Sequence, residues 1–144
     1  MTSSQVLQLS VYAVAALCCA WAFWKGGRTE KRGAVYIFIA WTLSLLLQSH
    51  AKTGPGILVN IIDIVTLCLL VHLSLVSKKI WTIFAAASQL DAIASHLAQV
   101  FLPYGQRVYV SVLAIWGGYG LLICLFAGTI GHQLDLKRQS TEKT

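Results

Sequence analysis

Charged side chains are scarce in this sequence. They make up 11% of its 144 residues, whereas a water-soluble domain carries about 25%. Hydrophobic residues reach 57%, above the roughly 45–50% of globular proteins. A soluble fold of this size would need far more polar surface, so the composition excludes an ordinary soluble domain and points to lipid as the solvent. Paired cysteines are lacking too. Cys18, Cys19, Cys68 and Cys124 all lie in apolar runs and none has CxxC spacing. Adjacent Cys18 and Cys19 point about 100° apart on a helix. A disulfide framework or zinc site is excluded in favour of small apolar packing residues. Met1–Gln5 holds no Lys or Arg, so the basic start of a signal peptide is missing. Also missing are HExxH, GxSxG, a P-loop and a glycine-rich dinucleotide fingerprint, which leaves no motif for an enzyme.

What is present is a series of five apolar runs, at residues 6–24, 34–50, 57–76, 80–102 and 108–130. A membrane span needs about 20 residues, and Gly or Pro marks several of the short connections. The expected fold is all-α: a polytopic membrane helix bundle with five transmembrane helices. Residues 1–131 form its single transmembrane domain, and 132–144 a short, frayed polar tail. The second run is the weakest, because its unbroken apolar part covers only Ala34–Leu47.

The net charge of +6 is distributed asymmetrically. With five spans and the N-terminus outside, the cytoplasmic side holds Lys25, Arg28, Lys31, Arg32, Lys78, Lys79, Lys137, Arg138 and Lys143, and the outside only Lys52 and Arg107. Nine against two is a positive-inside bias; skipping the second span would give six against five. Trp21, Trp24, Tyr36 and Trp81 fall at cytoplasmic ends, and Tyr104 and Tyr109 at outer ends, where amphipathic rings favour the headgroups. Basic residues clustered between apolar runs do not make a nucleic-acid groove. The partners expected are the lipid bilayer and another membrane subunit. For the latter, small residues offer a helix-packing face: Ala114 and Gly118, then Gly120, Cys124 and Gly128 at four-residue spacing.

Ionisable groups in hydrocarbon cost at least about 2.5–3.5 kcal/mol by insertion scales. The third run carries Asp63 and His72, and the fourth carries Asp91 and His96. These two runs form a hairpin turning at Ser77–Lys79, so Asp63 stands level with Ala94, and Thr66 with Asp91. Asn60, Asp63 and Thr66 form one stripe; Ser88, Asp91, Ser95 and Gln99 form the other. Facing each other, they would make one polar cluster with His96. With no internal cation, the two carboxylates must share a proton or pair with His96. That suits a proton relay or a pocket for a small polar ligand. The plainer reading is a hydrogen-bonded clamp, with Asp91 bound to Ser88 or Ser95 and Asp63 to Asn60. His72 and His96 differ by about 16 Å in depth, too far to hold one haem between them. Ligation of haem or pigment by a single His, at His72, His96, His50 or His132, stays open, though no cofactor is expected.

From Asn60 to His132 the chain resembles small multi-span proteins of unknown function from α-proteobacteria, especially sphingomonads. The pattern is Asn60-Ile61-Ile62-Asp63, then Lys78-Lys79-Ile80-Trp81, Ala85-Ala86-Ala87-Ser88-Gln89-Leu90, Ser95-His96-Leu97-Ala98, Ala114-Ile115-Trp116-Gly117-Gly118-Tyr119, Gly128 and His132. The resemblance implies a bacterial inner membrane and carries no activity or ligand. Ranked by these features, the expected roles are an accessory or structural subunit of a larger membrane complex, then a small proton- or ligand-binding carrier, then single-His haem or pigment binding.

Overall fold

The computed structural model describes residues 3–50, 57–101 and 118–142, with side chains over 12–47, 57–98 and 118–142. Within them the chain is all-helical, with no strand. The helices are α1 (Ser3–Lys25), α2 (Arg28–His50), α3 (Ile57–Ser77), α4 (Ile80–Phe101) and α5 (Leu121–Thr141). A π-helical turn at residues 118–120 leads into α5.

The helices form a ring. Each packs on the next, α5 returns to α1, and α2 also touches α5 across the middle. The core is thin and built largely from small side chains. Ala22, Ala34 and Ala85 let backbones approach, while Ile37, Leu70, Leu121 and Leu125 fill the centre. By length and composition, α3 and the segment Gly118–Thr141 could cross a membrane, yet only 22% and 28% of their apolar windows are buried. Ile57, Ile64, Val65 and Leu75 of α3, and Ile123 and Phe126 of α5, point outward. The core of this bundle therefore accounts for little of their apolar surface.

Two tight turns set the end of the bundle where the polar groups gather. Gly26 and Gly27 connect α1 to α2, and the Gly26 N–H closes α1 on the Ala22 carbonyl at 2.8 Å. Between α3 and α4, Lys78 adopts a left-handed conformation (φ 53°), the usual exit from a helix but a strained one for a residue with a β-carbon. The Thr82 hydroxyl donates to the Lys79 carbonyl at 2.6 Å and fixes the start of α4.

Two boundaries differ clearly from the sequence expectation. The second helix begins at Arg28 rather than 34, because Arg28–Gly33 is the polar first turn of a continuous helix. Its 23 residues, about 34 Å long, form one unbroken helix. The polar stretch after residue 131 is not frayed: α5 runs through Thr141, capped by the Glu142 N–H on the Arg138 carbonyl at 3.1 Å. Of the fifth run, residues 108–117 lie outside the described residues, with Ala114 among them.

Candidate functional site

Helix α4 carries two polar centres, one in its interior and one at its start. In the interior centre Asp63 of α3 is met from α4 by two side chains. The His96 Nε2 lies 3.1 Å from Asp63 Oδ2, and the Gln89 amide donates to Oδ1 at 3.0 Å and to the Asp63 carbonyl at 3.3 Å. The His96 side chain is 4% exposed and that of Asp63 17%. The expected register holds, since Asp63 lies level with the stretch between Gln89 and His96. The expected stripe on α4 does not hold. Gln89 and His96 are seven residues apart and share a face, together with Ala85 and Ala92. Asp91 is two residues from Gln89, about 200° around the helix, and it is exposed.

Asp63 and Asp91 are therefore not brought together. Ser95 donates to the Asp91 backbone carbonyl at 2.8 Å rather than to its carboxylate. Thr66 is buried and donates to the Ile62 carbonyl at 2.7 Å. Asn60, half-buried one turn from Asp63, has a buried Oδ1 that accepts no hydrogen bond among the described residues. Ser88 is buried but faces α5, where its hydroxyl meets the Cys124 thiol. The Gln99 side chain lies outside the described residues. His72 is exposed on α3. Among the described residues no group of three or more His, Cys, Asp or Glu could hold a metal ion.

The second centre, at the start of α4, was not anticipated. Glu30, in the first turn of α2, is fully buried. Its Oε1 accepts from the Lys79 ammonium at 2.7 Å and from the Trp81 indole N–H at 3.0 Å. Burial alone would push the Glu30 carboxyl up. The Lys79 hydrogen bond, a backbone hydrogen bond, the Lys79 charge and the indole together outweigh it and hold the carboxyl below its ordinary 4.5. Two glycines position the indole. A β-carbon on Gly33 would stand 2.6 Å from Trp81 Cη2, and one on Gly128 would stand 2.5–2.6 Å from Cδ1, Cγ and Nε1. The ring is thus wedged between the bare backbones of α2 and α5. Glu30, Ala34 and Ile37 share the inward face of α2 at four-three spacing, but the basic residues around Glu30 hide this in the sequence.

Between α4 and α5 runs an open groove of about 780 Å³. Ile80, Phe84 and Ser88 form one wall; Gly120, Cys124, Ala127 and Gly131 form the other; His132 and Asp135 close the end. Of the expected packing residues, Gly120 and Cys124 line this groove, Gly128 lies under Trp81, and a β-carbon on Gly118 would stand 3.7 Å from Trp41. No family model, curated protein or solved structure matches the chain.

Proposed function

We propose that the chain is an integral membrane protein crossing the bilayer five times, N-terminus outside and C-terminus cytoplasmic, and that it serves as an accessory subunit packed on a larger membrane complex. The nine-to-two charge bias supports the topology. So does the outward apolar surface of α3 and α5, which suits lipid rather than water. The observation that carries the subunit role is the groove beside α5. Gly120, Cys124, Ala127 and Gly131 line it at four-three-four spacing, the stripe along which a neighbouring membrane helix packs closely. A β-carbon on Gly131 would meet nothing within 4 Å, so this end of the stripe is not used by the bundle itself.

Purification in mild detergent tests the reading. The chain should leave the membrane with a partner protein, and Gly131→Leu, which fills the groove without disturbing the ring, should release that partner. Recovery of the wild-type chain as a lone monomer would end the subunit hypothesis.

A second reading follows from the 3.1 Å contact of His96 with Asp63. A carboxylate–imidazole pair between apolar helices suits a small proton- or ligand-binding carrier. Asp63→Asn should then abolish any pH-dependent transport or binding signal in vesicles, and an indifferent variant removes that reading.

A further inference from the structure

Glu30 uses only half of its carboxylate. Oε1 accepts from the Lys79 ammonium and the Trp81 indole, while Oε2 is buried and accepts no side-chain hydrogen bond among the described residues. A buried anionic oxygen without a donor is costly. A donor at the Gly26-Gly27 turn is His132. Its Nε2 and Cε1, like Glu30 Oε2, stand 2.9–3.0 Å from the point that a β-carbon on Gly27 would occupy. Imidazole and carboxylate thus face the same glycine turn, with no hydrogen bond or ion pair between them in this structure. Beside it, the Gln133 amide donates to the Lys25 carbonyl, so this end of α5 already rests on the end of α1.

We propose that Glu30 and His132 form a proton-binding site: a proton taken from cytoplasmic water by the His132 imidazole is donated in a hydrogen bond to Glu30 Oε2, drawing the end of α5 onto the Gly26-Gly27 turn. Other charged groups around Glu30 are committed or turned away. From the turn before α4, Lys79 is on Oε1. From α1, the Lys25 ammonium lies over the Trp24 ring at 4.8 Å. On α2 itself, Lys31 lies over Phe23 at 5.7 Å and Arg28 is exposed. On α5, Asp135 is exposed one turn beyond His132. On α3, Leu73 beside Gly33 is apolar, and Ser77 at its end is engaged with Lys79 and Thr82. Because the Glu30 carboxyl is held low, it stays anionic through the neutral range, where imidazole is the side chain that changes charge.

Hydrogen–deuterium exchange of the full chain in micelles tests this, with rates corrected for the intrinsic effect of pH. Lowering the pH from about 8 to about 5.5 should slow exchange of backbone amides in residues 132–141 about tenfold, as expected for gaining a charge-assisted hydrogen bond. His132→Gln should lose the pH effect. His132→Lys, permanently charged, should be protected at both pH values. A wild-type chain whose corrected protection ignores pH overturns the proposal, and so does a His132→Gln chain that keeps the response.

Discussion

The two polar centres on α4 solve the same problem with different partners. At the start of the helix, Glu30 is wholly enclosed and is neutralised by a permanent cation and an indole N–H. In the interior, Asp63 keeps 17% exposure and is met by an amide and an imidazole, neither of them a permanent charge. A buried carboxylate whose one cation is removed has nowhere to turn, whereas a partly exposed one retains other donors. The first centre fixes where α2 and α4 meet, and the second where α3 and α4 meet. Both hang on one helix, so α4 ties α2 and α3 together while also forming a wall of the groove along α5.

The largest expected effect comes from breaking the first centre. Lys79→Met should destabilise the bundle by about 3 kcal/mol, read as a lower melting temperature in micelles. That is the low end for breaking a buried pair, because the Lys79 side chain is 34% exposed. A loss no greater than that of an Asp63-centre variant would erase the distinction drawn here. The pH dependence has a definite sign. The Glu30 carboxyl titrates below its ordinary value in the fold, so its contribution is complete above the ordinary 4.5 and disappears as pH falls through the depressed value. Melting curves recorded at decreasing pH below about 5 should show this loss in the wild type and not in Lys79→Met.

Next in size, Gly128→Ala should cost about 2 kcal/mol, because its methyl group would drive into the Trp81 ring and loosen the indole from Glu30. Gly131→Ala on the same helix should stay within about 0.5 kcal/mol, since open space surrounds it. Gln89→Leu, which strips one donor from Asp63, should cost about 1–2 kcal/mol. Equal losses for Gln89→Leu and Lys79→Met would show that the permanent charge matters no more than the amide. Smaller than these losses is a gain. Lys78→Gly relieves the left-handed turn and should stabilise by about 0.5–1 kcal/mol in the same melts, some of the relief being offset by a freer unfolded chain.

Much of the helical layout was legible because apolar runs of span length leave little room for other structure. The hairpin register was legible as well, since a two-residue turn fixes which depths coincide. The inward face of α4 was misjudged. Ser88, Asp91 and Ser95 drew attention as a polar stripe, yet the neighbouring helix takes Ala85, Gln89, Ala92 and His96, where alanines permit close approach and the longer polar chains reach across. Of the expected cluster His96 does meet Asp63, whereas Ser88, Asp91 and Ser95 marked the wrong side. Glu30 escaped notice because four basic neighbours make Lys25–Arg32 look like a solvated loop. Its burial depends on the Trp81 indole and Lys79, 51 and 49 residues further along, and no local pattern records such a meeting.

The wedged indole also imposes an order of events on the nascent chain. Its enclosure needs α2, α4 and α5, and α5 is the last of them to be synthesised. Until α5 arrives, one face of Trp81 has no protein against it, and the ring becomes shielded only when the circle of helices shuts. Fluorescence from this residue, the buried tryptophan among those described, would thus report completed assembly, resisting aqueous quenchers in the finished protein and yielding to them in a chain cut before residue 121.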